Sequence, residues 1–439
     1  MGFWIGSSKT RHHARIDIPV KSVPCCFLLL MLFGAFFADR AAVCAELNPA
    51  IPTAGASPKP EAAPQSPAEP IEFVPLPVYA TLPNEGPTYG FMPVFLDTDR
   101  TDGRIKSIFA PSLTWNGVTH VTTTGRYFSY PNSFEERLFQ ATYATRLFRE
   151  ATADWISVPL TAKSRTHVLS FQYRKDPFRR FFGIGKDTAR NDETSYTLQS
   201  LRTFGRLGYN LTSRMNLSGT LGVNYYDPIK AGVLGLKSPF DIYPDVSGLD
   251  DAMSVYSLAS FKYDSRPLRE YSEEGYFAEA SAGGAFSNRA RNSFYGLTRL
   301  ENRVVWKETS RLSGAARAYW GYTYGANLPF YEQQSLGGSF LLRGYILDRF
   351  VDNGAWTIDF EQRFTPLILT VEGTKIHFRL DPFITVGQVY TSASEMFERV
   401  RYAPGIGVRF FSPPSVIGRI DIAKGGPDIN VYTELGYPF

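Results

Sequence analysis

A chain of 439 residues with a formal net charge of +4, of which 44% are hydrophobic and 15% aromatic, can bury a large apolar surface but is too close to neutral to engage nucleic acid. Its three cysteines, Cys25, Cys26 and Cys44, all precede residue 45. Once residues 1–45 are removed, the chain can form neither disulfides nor thiolate metal sites, which suits passage through an oxidising compartment.

Residues 1–45 read as a secretory signal peptide. Lys9, Arg11, Arg15 and Lys21 precede an apolar run from Cys25 to Ala38, and Val43-Cys-Ala45 forms a cleavage signature. The run is shorter than the roughly twenty residues that a membrane-spanning helix needs. This segment carries a net charge of +3, five positive against two negative, so only +1 of the whole chain's +4 belongs to the remainder. Residues 46–86 follow as a Pro/Ala-rich stretch with no apolar period, expected to be a disordered periplasmic linker with no room for a folded domain.

From 87 to 439 the pattern is that of an outer-membrane barrel, in which strands alternate apolar, lipid-facing residues with polar, lumen-facing ones. In 214–227, Leu217, Leu221 and Val223 share one face, and Asn216, Thr220 and Asn224 the other. In 376–390, Ile376, Phe378, Leu380 and Ile384 oppose His377, Arg379, Asp381 and Thr385. The predicted strands are 88–97, 105–116, 118–128, 135–149, 165–175, 193–211, 214–227, 254–265, 275–287, 294–309, 310–325, 355–366, 376–391, 402–413, 415–424 and 431–439. The fold class is therefore all-β, a sixteen-stranded antiparallel transmembrane β-barrel behind a signal peptide and a linker. An even count puts both ends in the periplasm. Tight turns at Asn116-Gly117, Thr212-Ser213, Thr309-Ser310 and Pro413-Pro414 then fall on the periplasmic side, and the long loops 176–192, 228–253 and 326–354 on the outer side.

The chain closes on Leu435, Tyr437 and Phe439, alternating to a terminal aromatic that resembles the signal by which such barrels are recognised by their assembly machinery. Pro93 on the first predicted strand and Pro438 on the last lack ladder donors, so the seam between those strands should pair poorly, unless the prolines simply mark strand ends.

At Leu336-Gly-Gly-Ser-Phe-Leu-Leu-Arg-Gly-Tyr345 the sequence resembles the conserved loop of the BamA/TamA superfamily of outer-membrane assembly factors, the bacterial surface antigen family. Tyr263-Asp-Ser-Arg266, Phe181-Phe-Gly-Ile-Gly-Lys-Asp-Thr188 and Phe383-Ile-Thr-Val-Gly387 resemble further family elements, in the right order. The resemblance implies insertion or translocation of a protein or lipid client, and a seam that serves as a lateral gate. It departs from the family at two points. The linker leaves no space for the POTRA domains that receive clients in insertases and two-partner secretion pores. Thr385 stands where the family motif has Asp.

Within the loop, Gly337, Gly338 and Gly344 offer backbone freedom, while Arg343 and Tyr345 are its distinctive side chains. A stretch of 29 residues from 326 to 354 exceeds what a hairpin needs, and its apolar middle should fold back into the lumen. Arg343 then needs an inward acid. Glu361 is the first candidate, because Glu361 and Arg363 resemble the family's Glu-x-Arg strand, and Asp381 the second, standing in for the acid missing at Thr385. His120, His167 and His377 lie on separate predicted strands, and no nucleophile elbow, phosphate loop or zinc signature is present. No cofactor and no enzymatic activity are expected. The expected partners are outer-membrane lipids, the barrel assembly machinery during biogenesis, and a client. A passive diffusion pore and a surface antigen that binds through its outer loops are the alternatives.

Overall fold

The computed structural model describes residues 71–99, 105–233, 235–267, 272–289, 294–371, 374–412 and 415–434. The signal-peptide and assembly-signal residues, with Leu435, Tyr437, Pro438 and Phe439, therefore lie outside the described residues, as do Pro413 and Pro414. In chain order the strands are β1 (Ile71–Leu82), β2 (Gly86–Thr98), β3 (Ile105–Phe109), β4 (Ser112–Asn116), β5 (His120–Asn132), β6 (Glu135–Ala144), β7 (Arg149–Ser157), β8 (Arg165–Phe181), β9 (Thr194–Asn210), β10 (Met215–Ile229) and β11 (Ala252–Asp264). They continue as β12 (Gly275–Ser287), β13 (Phe294–Lys307), β14 (Leu312–Tyr324), β15 (Gln334–Leu336), β16 (Phe350–Asp352), β17 (Gly354–Val371), β18 (Thr374–Tyr390), β19 (Arg401–Ser412), β20 (Ser415–Gly425) and β21 (Asp428–Glu434).

All but β15 and β16 join one antiparallel sheet in which chain neighbours pair. β3 and β4 occupy a single position between β2 and β5, because both pair with the same two strands. Among the described residues the wall thus has eighteen positions, not the predicted sixteen. Its two edges, β1 and β21, come side by side but share no ladder.

The two added strands have identifiable causes. β7 hides in the sequence because its outward row, Ala151 and Ala153 ahead of Trp155, is made mostly of alanines, too small to register as an apolar stripe. β1 hides because Pro75 and Pro77 read as linker, so the linker assigned to 46–86 gives way to strand from Ile71 onward. Inserting β7 also reverses the first part of the inside-outside assignment. The Asn116-Gly117 turn lies at the long-loop end, where the Asn116 Nδ2 donates to Glu85 O (3.0 Å) and Pro87 O (3.2 Å) of the β1–β2 turn.

Alternation holds round most of the wall. Leu217, Leu221, Ile358, Phe360 and Ile384 are exposed outward, and Thr220, Asn224, Asp359, Glu361 and Thr385 are buried inward. Trp356 is the exception on β17. It shares the outward parity of Ile358 and Phe360, yet it is buried under residues 391–400, with its Nε1 donating to Met396 O at 2.8 Å and its ring 5.4 Å from that of Phe397.

The first strands break the rule in another way, since both of their faces are apolar. Phe73, Tyr79, Tyr89 and Phe91 point outward, while Leu76, Val78, Met92, Val94 and Leu96 pack inward with Ile108, Phe128 and Leu138. Beside this cluster, toward the long-loop end, a small open cavity of about 60 Å³ is walled by Thr114, Thr122, Thr124 and Thr142 together with Arg126 and Glu150.

Limited proteolysis checks the new boundary. Protease acting from the N-terminal side should trim the chain only as far as about Ile71, and fragments beginning within residues 72–82 would rule out β1 as a wall strand.

Candidate functional site: a tethered lumen loop and an interrupted wall

The connection from β14 to β17 enters the barrel through a short neck, the two-stranded ladder of β15 and β16, with Leu336 paired to Phe350. Phe330 and Tyr331 anchor its base against Phe181, Tyr196 and Tyr226 of the wall. Beyond the neck the backbone turns sharply, with positive φ at Gly337 (120°), Leu342 (53°) and Gly344 (119°). A side chain at Gly344 would meet Ala403 Cβ at 2.8 Å, so only glycine lets this tip touch β19 and β20. Leu342 holds a conformation unfavourable to a branched residue and is fully buried with Leu336 and Phe350, so packing holds the strain in place.

This tip presents Arg343 to the inner wall, where the residue is fully buried. Its Nη1 donates to Glu361 Oε2 at 3.1 Å and lies 3.6 Å from Asp421 Oδ2, its Nε is 3.9 Å from Asp359 Oδ1, and its Cζ sits 3.7 Å from the Phe383 ring centroid. Glu361 also accepts from Arg363 at 2.9 Å. Asp381 lies instead beside Arg409, at 3.4 Å. Arg409 in turn reaches Asp421 at 2.7 Å, and Arg419 pairs with Asp421 (3.6 Å) and with Glu434. Thr385, where the family motif has an acid, donates to Asp359 at 2.6 Å. The acid facing the loop is therefore supplied one strand over, on β17, together with Asp421 on β20. The sequence reading placed Asp359 on the lumen face but chose neither it nor Asp421 as a partner of Arg343, although both fall on inward positions of their strands.

Backbone contacts complete the tether. The Asn430 Nδ2 donates to Gly344 O and the Tyr432 hydroxyl to Tyr345 O, both at 2.6 Å, Arg317 reaches Phe340 O at 2.9 Å, and Ser339 Oγ lies 2.6 Å from Glu434. Gly338 N donates to Tyr345 O at 2.7 Å and closes the turn on itself. These attachments are to β14 and β17–β21, while Asp348 of the same loop pairs with Arg179 of β8 at 3.3 Å and Leu347 O accepts from Asn84 between β1 and β2, so the loop reaches across the lumen beside the threonine-walled cavity.

The wall itself is interrupted near its N-terminal edge. Ala110 N donates to Arg126 O of β5, so the nitrogen of the next residue, Pro111, faces β2. The register places Pro111 directly opposite Pro93, because Phe91 pairs with Leu113 and Phe95 with Phe109. Both nitrogens that should cross this gap are proline nitrogens, so neither ladder bond can form, and β3 and β4 are separated there. On the other side Pro93 opposes Pro75, whose nitrogen, like that of Pro77, faces the free edge toward β21. Pro93 therefore lies inside the wall, not on the terminal strand where the sequence suggested it, and the prolines of the edge are Pro75 and Pro77.

A protein-family comparison matches residues 124–428 to the Omp85 superfamily domain. The chain belongs to the Omp85 superfamily. Its members are outer-membrane β-barrels, and the resemblance carried by the Arg-Gly-Tyr loop is to this same group. Among solved structures, BamA from Haemophilus ducreyi lacking POTRA domains 1-3 superposes with a TM-score of 0.51 at 12% identity, covering 78% of this chain and 74% of that one. CdiB from Escherichia coli gives 0.46 at 10% identity, over 85% of this chain and 64% of its own, and CdiB from Acinetobacter baumannii 0.43 at 10%, over 84% and 60%. The chain thus spans less than two thirds of either CdiB. No curated protein sequence matches.

Removing a partner from a fully buried ion pair costs roughly 3–5 kcal/mol, because the remaining charge is stranded. The Omp85 barrel carrying Arg343→Ala should accordingly lose heat resistance in detergent and unfold at lower urea, with Glu361→Ala similar and the double variant less than additive. Equal stability of Arg343→Ala and wild type in a urea titration would remove the tether.

Proposed function

We propose that this Omp85 barrel assists the insertion or translocation of a protein or lipid client at the outer membrane, and that the client passes beside β1 and β2 at the side of the barrel. The observation that carries this reading is the pairing fault. Among the described residues the β1–β2 hairpin has an unbroken ladder within itself, a ladder to β3 and β4 that fails at Pro93 and Pro111, and none to β21. A barrel stave with a charged inner face could not leave the wall, since each charge brought to the bilayer centre costs about 2–4 kcal/mol. This hairpin carries apolar residues on both faces at mid-height and can meet lipid with either one. Meanwhile the tethered loop obstructs a direct route down the lumen. We read the protein as a conduit, not a catalyst, with the residues before β1 on the periplasmic side.

A disulfide tests the lateral route. Leu96 and Ile108 are directly opposed on β2 and β3, so Leu96→Cys with Ile108→Cys should bind the hairpin to the wall when oxidised. Cells relying on this variant should lose barrier integrity under oxidation and recover it with reductant. Undisturbed growth and permeability with the bridge formed would end the proposal.

The cavity walled by threonines favours a second reading, a diffusion pore. Steady, large conductance of the wild-type barrel in a planar bilayer would support it. A plugged conduit gives low, flickering conductance, rising when Arg343 is replaced by Ala.

A further inference from the structure

At the long-loop end, three guanidinium groups and two phenyl rings gather in one cluster. The Arg349 Cζ is 4.5 Å from the Phe182 centroid and 4.4 Å from that of Phe350. Arg190 approaches Phe182 at 5.9 Å, and Arg401 approaches Phe350 at 5.2 Å. Arg190 is neutralised by Glu193 and by Asp428, the latter at 2.7 Å. The other two are not. Arg349 donates to Thr188 Oγ1 (2.9 Å) and Thr188 O (2.8 Å), and Arg401 to Lys186 O (3.0 Å).

Among the described residues neither Arg349 nor Arg401 has an ion pair, and the Arg401 Nε is buried without an acceptor. This departs from the chain's own habit, since Arg343, Arg363, Arg409 and Arg419 are all paired with acids inside the barrel. Burial pushes the Arg349 guanidinium down to about 10, and the charges of Arg401 and Arg190 push the same way. Unpaired, mutually repelling cations with spare donors are what an absent anion would leave behind.

We propose that Arg349 and Arg401 form a binding site for a phosphate monoester. A tetrahedral phosphate carries enough oxygens to accept from two guanidinium forks at once, which a carboxylate with two oxygens does less well. The two arginines belong to different parts of the fold. Arg349 lies on the lumen loop, directly before β16, and Arg401 opens β19, while the backbone they hold is the 182–193 loop. Tyr345 of the loop tip packs edge-on against Phe350 at 5.2 Å, which links the site to the Arg343 turn. An anion bridging the pair clamps the loop to the wall. Long loops mark the outer side of such barrels, so the phosphate comes either from a free phosphate ester or from a phosphorylated lipid headgroup of the outer leaflet.

The test uses the full chain in dodecyl maltoside, melted with increasing inorganic phosphate against chloride at matched ionic strength, and separately in micelles doped with phosphatidic acid or phosphatidylcholine. A saturable rise in melting temperature with inorganic phosphate identifies a soluble source, and a rise with phosphatidic acid alone identifies a headgroup. In either case Arg401→Gln should weaken the apparent affinity at least tenfold, while Arg289→Gln, a loop arginine already paired with Asp251, leaves it unchanged. Arg401 is only half-buried, so its variant stays informative if Arg349→Gln does not fold. The proposal is overturned if neither phosphate nor phosphatidic acid gives a saturable shift, or if Arg401→Gln retains it.

Discussion

A guanidinium carried into the lumen on a loop has to be neutralised there, and much of the C-terminal half of this barrel is arranged around that demand. Arg343 is fully buried. Desolvating it is tolerable only because Glu361, Asp359 and Asp421 surround it and Phe383 covers its face. Glu361 and Asp421 are held in turn by Arg363, Arg409 and Arg419, and Asp359 by the Thr385 hydroxyl. The result is a continuous ionic layer across β17–β20, and its members stabilise one another only as long as all are present. The glycines and the strained Leu342 of the loop follow from the same requirement, because the tip must come within contact distance of Ala403 for the arginine to reach its partners.

The opposite side of the barrel obeys a different logic. Between β1 and β6 the inner face is apolar toward one end and lined by hydroxyls toward the other. The wall there is joined through a row of aligned prolines, Pro75, Pro93 and Pro111. The barrel therefore has one side cross-braced by charge and another where the ladder between β2 and its neighbours is interrupted at Pro93 and Pro111 and the inner face is held by apolar packing. Obstruction of the lumen by the loop and a discontinuity in the wall belong to one architecture, and both are what the proposed lateral route requires.

Much of this was legible in the chain itself. The period-two alternation along β10, β17 and β18 marks lipid and lumen faces, because a bilayer tolerates charge on one face only, and that constraint is written residue by residue. The Arg-Gly-Tyr turn announced an inward loop, strand parity put Glu361 on the lumen face, and the resemblance of Glu361 and Arg363 to the family's Glu-x-Arg strand singled it out as the partner of Arg343. What parity could not supply was the strand count. An alanine-faced strand such as β7 and a proline-bearing edge strand such as β1 lack the local signal, and they become strands only because a neighbour offers a ladder.

The sequence by itself determined the membrane-barrel class, the inward face of each strongly alternating strand and the need of Arg343 for an acid. These depend on local period and on charge, and both are properties of the chain. Tertiary structure alone decided that, among the described residues, eighteen positions form the wall, Pro93 meets Pro111 and not the seam, Asp421 shares Arg343 with Glu361, and Arg349 and Arg401 converge without an acid between them. Each of these depends on which strands and loops lie across from one another. That is settled by register and by the order in which strands pair, and no single strand encodes either.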